Sequence, residues 1–302
     1  MRALLFSFLC GLTTVLAEHG AGPLRVVSFS TVLTEIAEQV GGTHTKVAGL
    51  VPAGQDPHEY QPTPGDLDQV SQANLVLLSG KHMEHYLDKV QQATGGKVNS
   101  LSVGDQLPSL QMKPDPEEEK AGASVDQTAT VEDPHWWHSI ANVKKATTIV
   151  SDELVRLDPA NRADYEKNAK AYLAKLDQLD KWARRKIAEL PRNQRKLVTS
   201  HDAFQYFARD YGFTIYAIEG VSTDTEPSNR HVAELIDEIK KEGVKAIFLE
   251  STLNPKVTSE ITRETGVRIG GTLYADGLGT GRASTYDGMF RGNVSTIVDA
   301  LR

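Results

Sequence analysis

Ala163–Leu190 reads ADYEKNAKAYLAKLDQLDKWARRKIAEL, and its periodicity decides the architecture. Tyr165, Ala169, Tyr172, Leu173, Leu176, Leu179, Ala183, Ile187 and Leu190 make one apolar stripe at helical spacing. Pro159 lies just before the segment and Pro191 ends it. Roughly 28 residues of helix would span about 40 Å, enough to run the length of a two-lobed molecule. The alternatives are a long helix inside a single domain and a coiled coil. The second is disfavoured because the stripe stops after about four heptads.

Outward from this helix, short strand-like runs alternate with amphipathic stretches. Arg25–Phe29, Lys46–Leu50 and Asn74–Leu78 precede it, and Lys196–Thr199, Thr214–Ile218 and Ala246–Leu249 follow. Between the last two, Val232, Leu235, Ile236 and Ile239 mark a helix over Asn229–Lys241. The alternation predicts an α/β fold: two (β/α) lobes with mainly parallel sheets, joined by one long rigid α-helix. The expected division is an N-terminal lobe over 24–160, the linking helix over 163–190 and a C-terminal lobe over 191–302. Within the first lobe, Gln111–Glu132 is polar and nearly free of large apolar side chains, which predicts a flexible loop. Its acidic cluster Asp115, Glu117, Glu118 and Glu119 reads as a solvated insertion.

The 302 residues carry 40 Asp+Glu against 33 Lys+Arg, a formal charge of −7 that argues against nucleic acid as a partner. Met1–Ala17 reads as a secretory signal peptide, with Arg2, an apolar run, and Val15 and Ala17 before a cleavage site. The single cysteine, Cys10, falls inside that leader and lacks the small residues of a lipoprotein site before it. The mature chain is therefore expected to be cysteine-free, exported, not lipid-anchored and monomeric, which excludes disulfide frameworks and thiolate metal clusters.

Histidine placement carries the chemistry. His58 lies in QDPHEYQP and His135 in DPHWWH, and the shared Asp-Pro-His suits a turn that projects the imidazole. His201 directly follows the strand candidate Lys196–Thr199, and Asp276 follows another strand-like run. Three imidazoles and a carboxylate would satisfy a tetrahedral divalent cation. Spacing alone does not select these four from nine histidines and 40 acids. His82 and His85 (HMEH), and His135 with His138, are rival pairs with i, i+3 spacing.

From Leu24 onward the chain resembles the periplasmic zinc- and manganese-binding proteins of ABC transporters. The matching stretches are Gln55–Pro64, Asp133–Trp137, Thr199–Phe207, Thr223–Ser228, Tyr274–Asp276 and Tyr286–Val294, in that order. The resemblance implies a metal site between the lobes, with His58 and His135 from the first and His201 and Asp276 from the second. It implies no catalysis, an ABC permease as partner, and a periplasmic location. A metallochaperone is a further candidate partner, and adhesion a weak secondary role. The loop Gln111–Glu132, placed near the site's mouth, departs from zinc-binding relatives in lacking histidine. His138 stands where many relatives have no imidazole and is expected to face away, with a spare-ligand or ligand-supporting role as the alternative. Glu219 and Glu250 are candidate acceptors for ligand N–H groups. Zn²⁺ is the expected cargo and Mn²⁺ the second choice, since a manganese site of this type would more often carry glutamate at His201. An exported zinc hydrolase, with Glu59 as base, is the rival class.

Overall fold

A computed structural model describes residues 22–96, 98–112, 130–223, 227–251 and 256–302. The leader expected over Met1–Ala17 and the acidic cluster at 115–119 lie outside these residues. In the first lobe Leu24–Ser28 (β1), Thr31–Gly41 (α1), Thr45–Gly49 (β2), Pro64–Ser71 (α2), Leu75–Leu78 (β3), Leu87–Ala93 (α3) and Ser100–Ser102 (β4) alternate along the chain. Their strands form a parallel sheet in the order β2-β1-β3-β4. Every residue of β3 is buried, which is why this strand reads as an unbroken apolar run without alternation. Ser30 starts α1 by accepting from the Leu33 N–H.

Gln111–Met112 (β5) and Val131–Glu132 (β6) pair as an antiparallel ribbon. The two ends of the segment expected as a loop are therefore joined by strand pairing. Ile140–Leu157 (α4), which the sequence reading did not single out, leads into the long helix α5, Arg162–Ile187. The second lobe holds Lys196–Thr199 (β7), Gln205–Tyr211 (α6), Thr214–Ala217 (β8), Asn229–Glu242 (α7), Ala246–Glu250 (β9), Lys256–Thr265 (α8), Arg268–Leu273 (β10) and Tyr286–Leu301 (α9). Its sheet is again parallel, in the order β10-β9-β7-β8.

The helix α5 is 26 residues long, about 39 Å at 1.5 Å per residue. Tyr165, Ala169, Tyr172, Leu176, Leu179, Ala183 and Ile187 bury its apolar stripe, and α5 packs against α1, α4 and α9. Those contacts weld the lobes together. One hydrophobic cluster runs from Val26 and Leu33 through Leu154 and Leu179 to Phe248 and Val298. Smaller clusters lie on the other face of each sheet, around Val27 and Val76 and around Val198 and Ile247. Leu176, Leu179 and Ile187 of the α5 stripe are each worth about 1.5–3 kcal/mol of burial when fully removed from water. The lobes thus share a core along the linking helix, beyond what each would bury alone.

Candidate metal centre

Parallel sheets end in loops at the carboxyl ends of their strands, and three of the four predicted ligands lie there, while the fourth, His135, follows the antiparallel ribbon. The loop after β2 delivers His58, the segment after β6 delivers His135, the turn after β7 delivers His201, and the loop after β10 delivers Asp276. One ligand atom from each falls within 4.8 Å of all the others. His135 Nε2 is 3.2 Å from His58 Nε2 and 3.2 Å from His201 Nε2. The Asp276 carboxylate oxygen Oδ1 stands 3.2 Å from His201 Nε2, 3.9 Å from His135 Nε2 and 4.0 Å from His58 Nε2. Each imidazole thus turns its Nε2 inward.

The Asp-Pro-His turns explain two of these orientations. Asp56 Oδ1 accepts the His58 N–H at 2.8 Å, and Asp133 Oδ1 accepts the His135 N–H at 2.9 Å. Proline preorganises the turn, while the aspartate two residues before the histidine closes it by hydrogen bonding. Sequence reasoning missed that role, although the repeated Asp-Pro-His carried the signal. Asp133 Oδ1 also accepts from His135 Nδ1 at 2.9 Å, so the proton sits on Nδ1 and the Nε2 lone pair faces the centre. Asp56 Oδ2 accepts from the Thr223 hydroxyl at 2.8 Å, tying the His58 turn to the second lobe.

Glu250, at the end of β9, does the same for His201. Its Oε2 accepts from His201 Nδ1, and its Oε1 accepts the Ser200 and His201 N–H groups at 2.9 and 3.1 Å. Glu219 is half-buried, and its backbone N–H donates to Ser200 O at 2.8 Å. His138 points elsewhere. Its Nε2 donates to Ala275 O at 2.8 Å, beside a 2.8 Å donation from Trp137 Nε1 to the same oxygen. This first-lobe pair grips the residue immediately before Asp276. On its other side, Gly277 adopts φ +145°, and a Cβ there would lie 2.3 Å from Thr31 Oγ1, so only glycine lets the Asp276 loop meet the start of α1. Leu278 N–H donates to that hydroxyl at 2.8 Å.

Burial sets the electrostatics. His135 is held well below the usual imidazole range by burial, then by the neighbouring His201 and His58. Burial also brings His138 down to about 4, so it is a neutral donor at physiological pH. Burial works in the same sense on His201, but Glu250 and Asp276 overcome it and hold that ring well above its ordinary value. For Asp276 burial pushes upward, and His201, followed by His58 and His135, holds the carboxyl well below the carboxylate range. Catalysis by Glu59 finds no support in this geometry, since Glu59 is exposed and the four inward groups are the ones gathered.

The family described as zinc-uptake complex component A, periplasmic, matches residues 26–300. Manganese-binding lipoprotein MntA of Bacillus subtilis (strain 168) is 36% identical over 313 residues, covering 100% of this chain and 98% of the relative. Zinc-binding protein TroA of Treponema pallidum (strain Nichols) is 32% identical, covering 93% and 89% respectively. The solved periplasmic zinc binding protein TroA superposes with a TM-score of 0.82 at 31% identity, over 93% of this chain and 99% of that one. A manganese-bound periplasmic metal binding protein from Candidatus Liberibacter asiaticus gives 0.80 at 27% identity, over 92% and 100%. Relatives named as lipoproteins conflict with the expectation that no lipid anchor is present.

Proposed function

The chain belongs to the zinc-uptake component A family, the periplasmic metal-binding components of ABC transporters, and on that premise we propose that it captures Zn²⁺ between its lobes for delivery to a membrane permease. Members of this family bind cargo for a transporter and are not enzymes. The observation that carries the proposal is the convergence of His58, His135, His201 and Asp276 within 4.8 Å. Three neutral nitrogens and one carboxylate suit tetrahedral Zn²⁺, and four protein groups complete its coordination without a water to activate. The Irving–Williams order favours zinc over manganese at such a donor set. In this reading residues 24–160 and 191–302 are the two lobes and 163–190 the link.

Manganese is the second reading, supported by the 36% identity to a manganese-binding relative across the whole chain. Equilibrium titration of metal-free protein with each ion tests both. The zinc reading expects one tight Zn²⁺ equivalent that excess Mn²⁺ does not displace, and large losses of affinity for His58→Ala, His135→Ala, His201→Ala and Asp276→Ala. Affinity that survives all four changes refutes the site. Tighter binding of Mn²⁺ than of Zn²⁺ refutes the cargo. Cobalt(II) binding with the intense visible absorption of a tetrahedral complex would support the four-ligand geometry.

A further inference from the structure

The ring of His138 bears on three of the four segments that carry the metal ligands. It stands three residues beyond His135, at the end of the single helical turn Trp136–His138, and its backbone N–H donates to His135 O at 3.2 Å. Its Nε2 donates to Ala275 O at 2.8 Å, one residue before Asp276. Its face lies against Phe204, three residues beyond His201, with ring centroids 4.3 Å apart and planes tilted by 32°. Both rings are buried. An apolar side chain could fill the space against Phe204 but could not make the hydrogen bond.

Around Asp276 the main chain is pinned on both sides. Asn293 of α9 holds Tyr274, its Oδ1 accepting the Tyr274 N–H at 2.9 Å and its Nδ2 donating to Tyr274 O at 2.8 Å. Ala275 O takes the donations from Trp137 and His138, and Thr31 Oγ1 takes the Leu278 N–H at 2.8 Å. The donor atoms framed in this way are close. His58 and His135, His135 and His201, and His201 and Asp276 each place their facing atoms 3.2 Å apart. Bonds of about 2.0–2.1 Å to a tetrahedral zinc ion separate the donors by about 3.3 Å. A manganese ion favours an octahedral shell richer in oxygen. Building that shell here requires the second Asp276 oxygen to reach the ion and water to enter, and both require the 274–278 loop to shift.

We propose that His138 is a positioning residue that sets metal selectivity: by tying Ala275 O to the His135 and His201 segments, it fixes Asp276 where the carboxylate gives one oxygen to a four-coordinate ion, and so disfavours the wider shell of Mn²⁺. This deepens the zinc reading of the central site and rests on it. The donor is constant across physiological pH, because burial keeps the His138 ring neutral. A neutral ring also adds no charge that would repel the incoming cation.

The test is equilibrium competition between Zn²⁺ and Mn²⁺ for the full chain, in wild type, His138→Leu and His138→Gln. Leucine keeps an apolar contact with Phe204 and lacks the donor, whereas glutamine carries an N–H that replaces it. Supporting partners at metal sites typically shift affinity 10–100-fold, so His138→Leu is expected to lower the Zn²⁺-to-Mn²⁺ affinity ratio by about tenfold and His138→Gln to restore most of it. A merely structural role would weaken both ions alike and leave the ratio in place. An unchanged ratio in His138→Leu, or a glutamine variant that behaves like leucine, overturns the proposal. If circular dichroism shows His138→Leu misfolded, Phe204→Leu removes the stacked ring and is expected to lower the same ratio; an unchanged ratio there overturns the proposal equally. Wild type that prefers Mn²⁺ refutes the zinc reading by itself, while the variant ratios relative to wild type still decide the role of His138.

Discussion

Replacing Glu250 by glutamine tests how the centre is tuned. Glutamine preserves shape, and its carbonyl can still accept the Ser200 and His201 N–H groups now bonded to Glu250 Oε1 at 2.9 and 3.1 Å. The fold is therefore expected to survive. What changes is the group facing His201 Nδ1, where a carboxylate acceptor becomes an amide donor. The ring then keeps its proton on Nε2, the atom aimed at the ion. Supporting partners of metal-bound histidines typically account for 10–100-fold in affinity, or about 1.4–2.8 kcal/mol. A second signature follows from charge. In wild type, Glu250 and Asp276 raise the His201 pKa against the effect of burial, so zinc competes with a proton for this ring and proton release on binding is the expected outcome. Apparent affinity then rises with pH by up to about tenfold per unit until the raised pKa is passed. With glutamine the His201 pKa falls, and the pH dependence near neutrality flattens. Calorimetry in buffers of differing ionisation enthalpy counts the released proton, while competition with a chelator measures affinity. A Glu250→Gln protein that binds zinc as tightly as wild type and still releases the same proton would refute the tuning role.

Other perturbations probe the frame. Leu179→Ala in α5 removes a fully buried side chain from the shared core and is expected to cost about 2–5 kcal/mol in chemical denaturation. Trp137→Phe removes one of two donors to Ala275 O, so stability should drop by about 1 kcal/mol and zinc should dissociate faster as Asp276 loosens. Burial raises Glu84 from 4.5 to about 7, so the native state holds an extra proton between those values. The contribution of Glu84 to stability is full below pH 4.5 and falls as pH rises through 7, by about 3 kcal/mol in all. Glu84→Gln should remove that slope from a stability–pH profile. A profile identical to wild type would count against it.

The long helix and the strands on both sides of it were legible because their signal is local. Apolar spacing in α5 and the short apolar runs of β1, β3, β7 and β9 are imposed by burial, and burial leaves a period in the sequence. The α4 helix is equally periodic, with Ile140, Val143, Ala146, Val150 and Leu154 buried, and could have been found in the same way. The ligand set is a different case. His58 and Asp276 are brought together only by tertiary folding, and no spacing rule relates them. Resemblance to a family supplied what periodicity could not. The pair His82/His85 shows the limit of spacing as a guide: i, i+3 implied a helix, but Gly80, Lys81 and His82 all take positive φ and no helix forms there.

The way the ligands are anchored constrains how cargo could leave. Asp276 belongs to the second lobe by sequence, but Ala275 is gripped by Trp137 and His138, and Leu278 by Thr31, all from the first. Glu35 of α1 adds a third tie, accepting the Tyr286 N–H of α9 and the Tyr172 hydroxyl of α5. Swinging the lobes apart would break these buried hydrogen bonds and open the shared core along α5, so a large hinge rotation is the costly route. His135 and His201 are equally fixed, each buried and bonded through Nδ1 to a carboxylate of its own lobe. His58 is buried too, its turn held by Asp56, which accepts its backbone N–H and the Thr223 hydroxyl, and its imidazole borders a cavity of about 430 Å³. On the proposed zinc reading, release is therefore expected through local displacement of a ligand-bearing loop and not through a swing of whole lobes. Matching lobe spacing in metal-free and metal-bound crystals is the expected result, and a large hinge rotation between them would refute it.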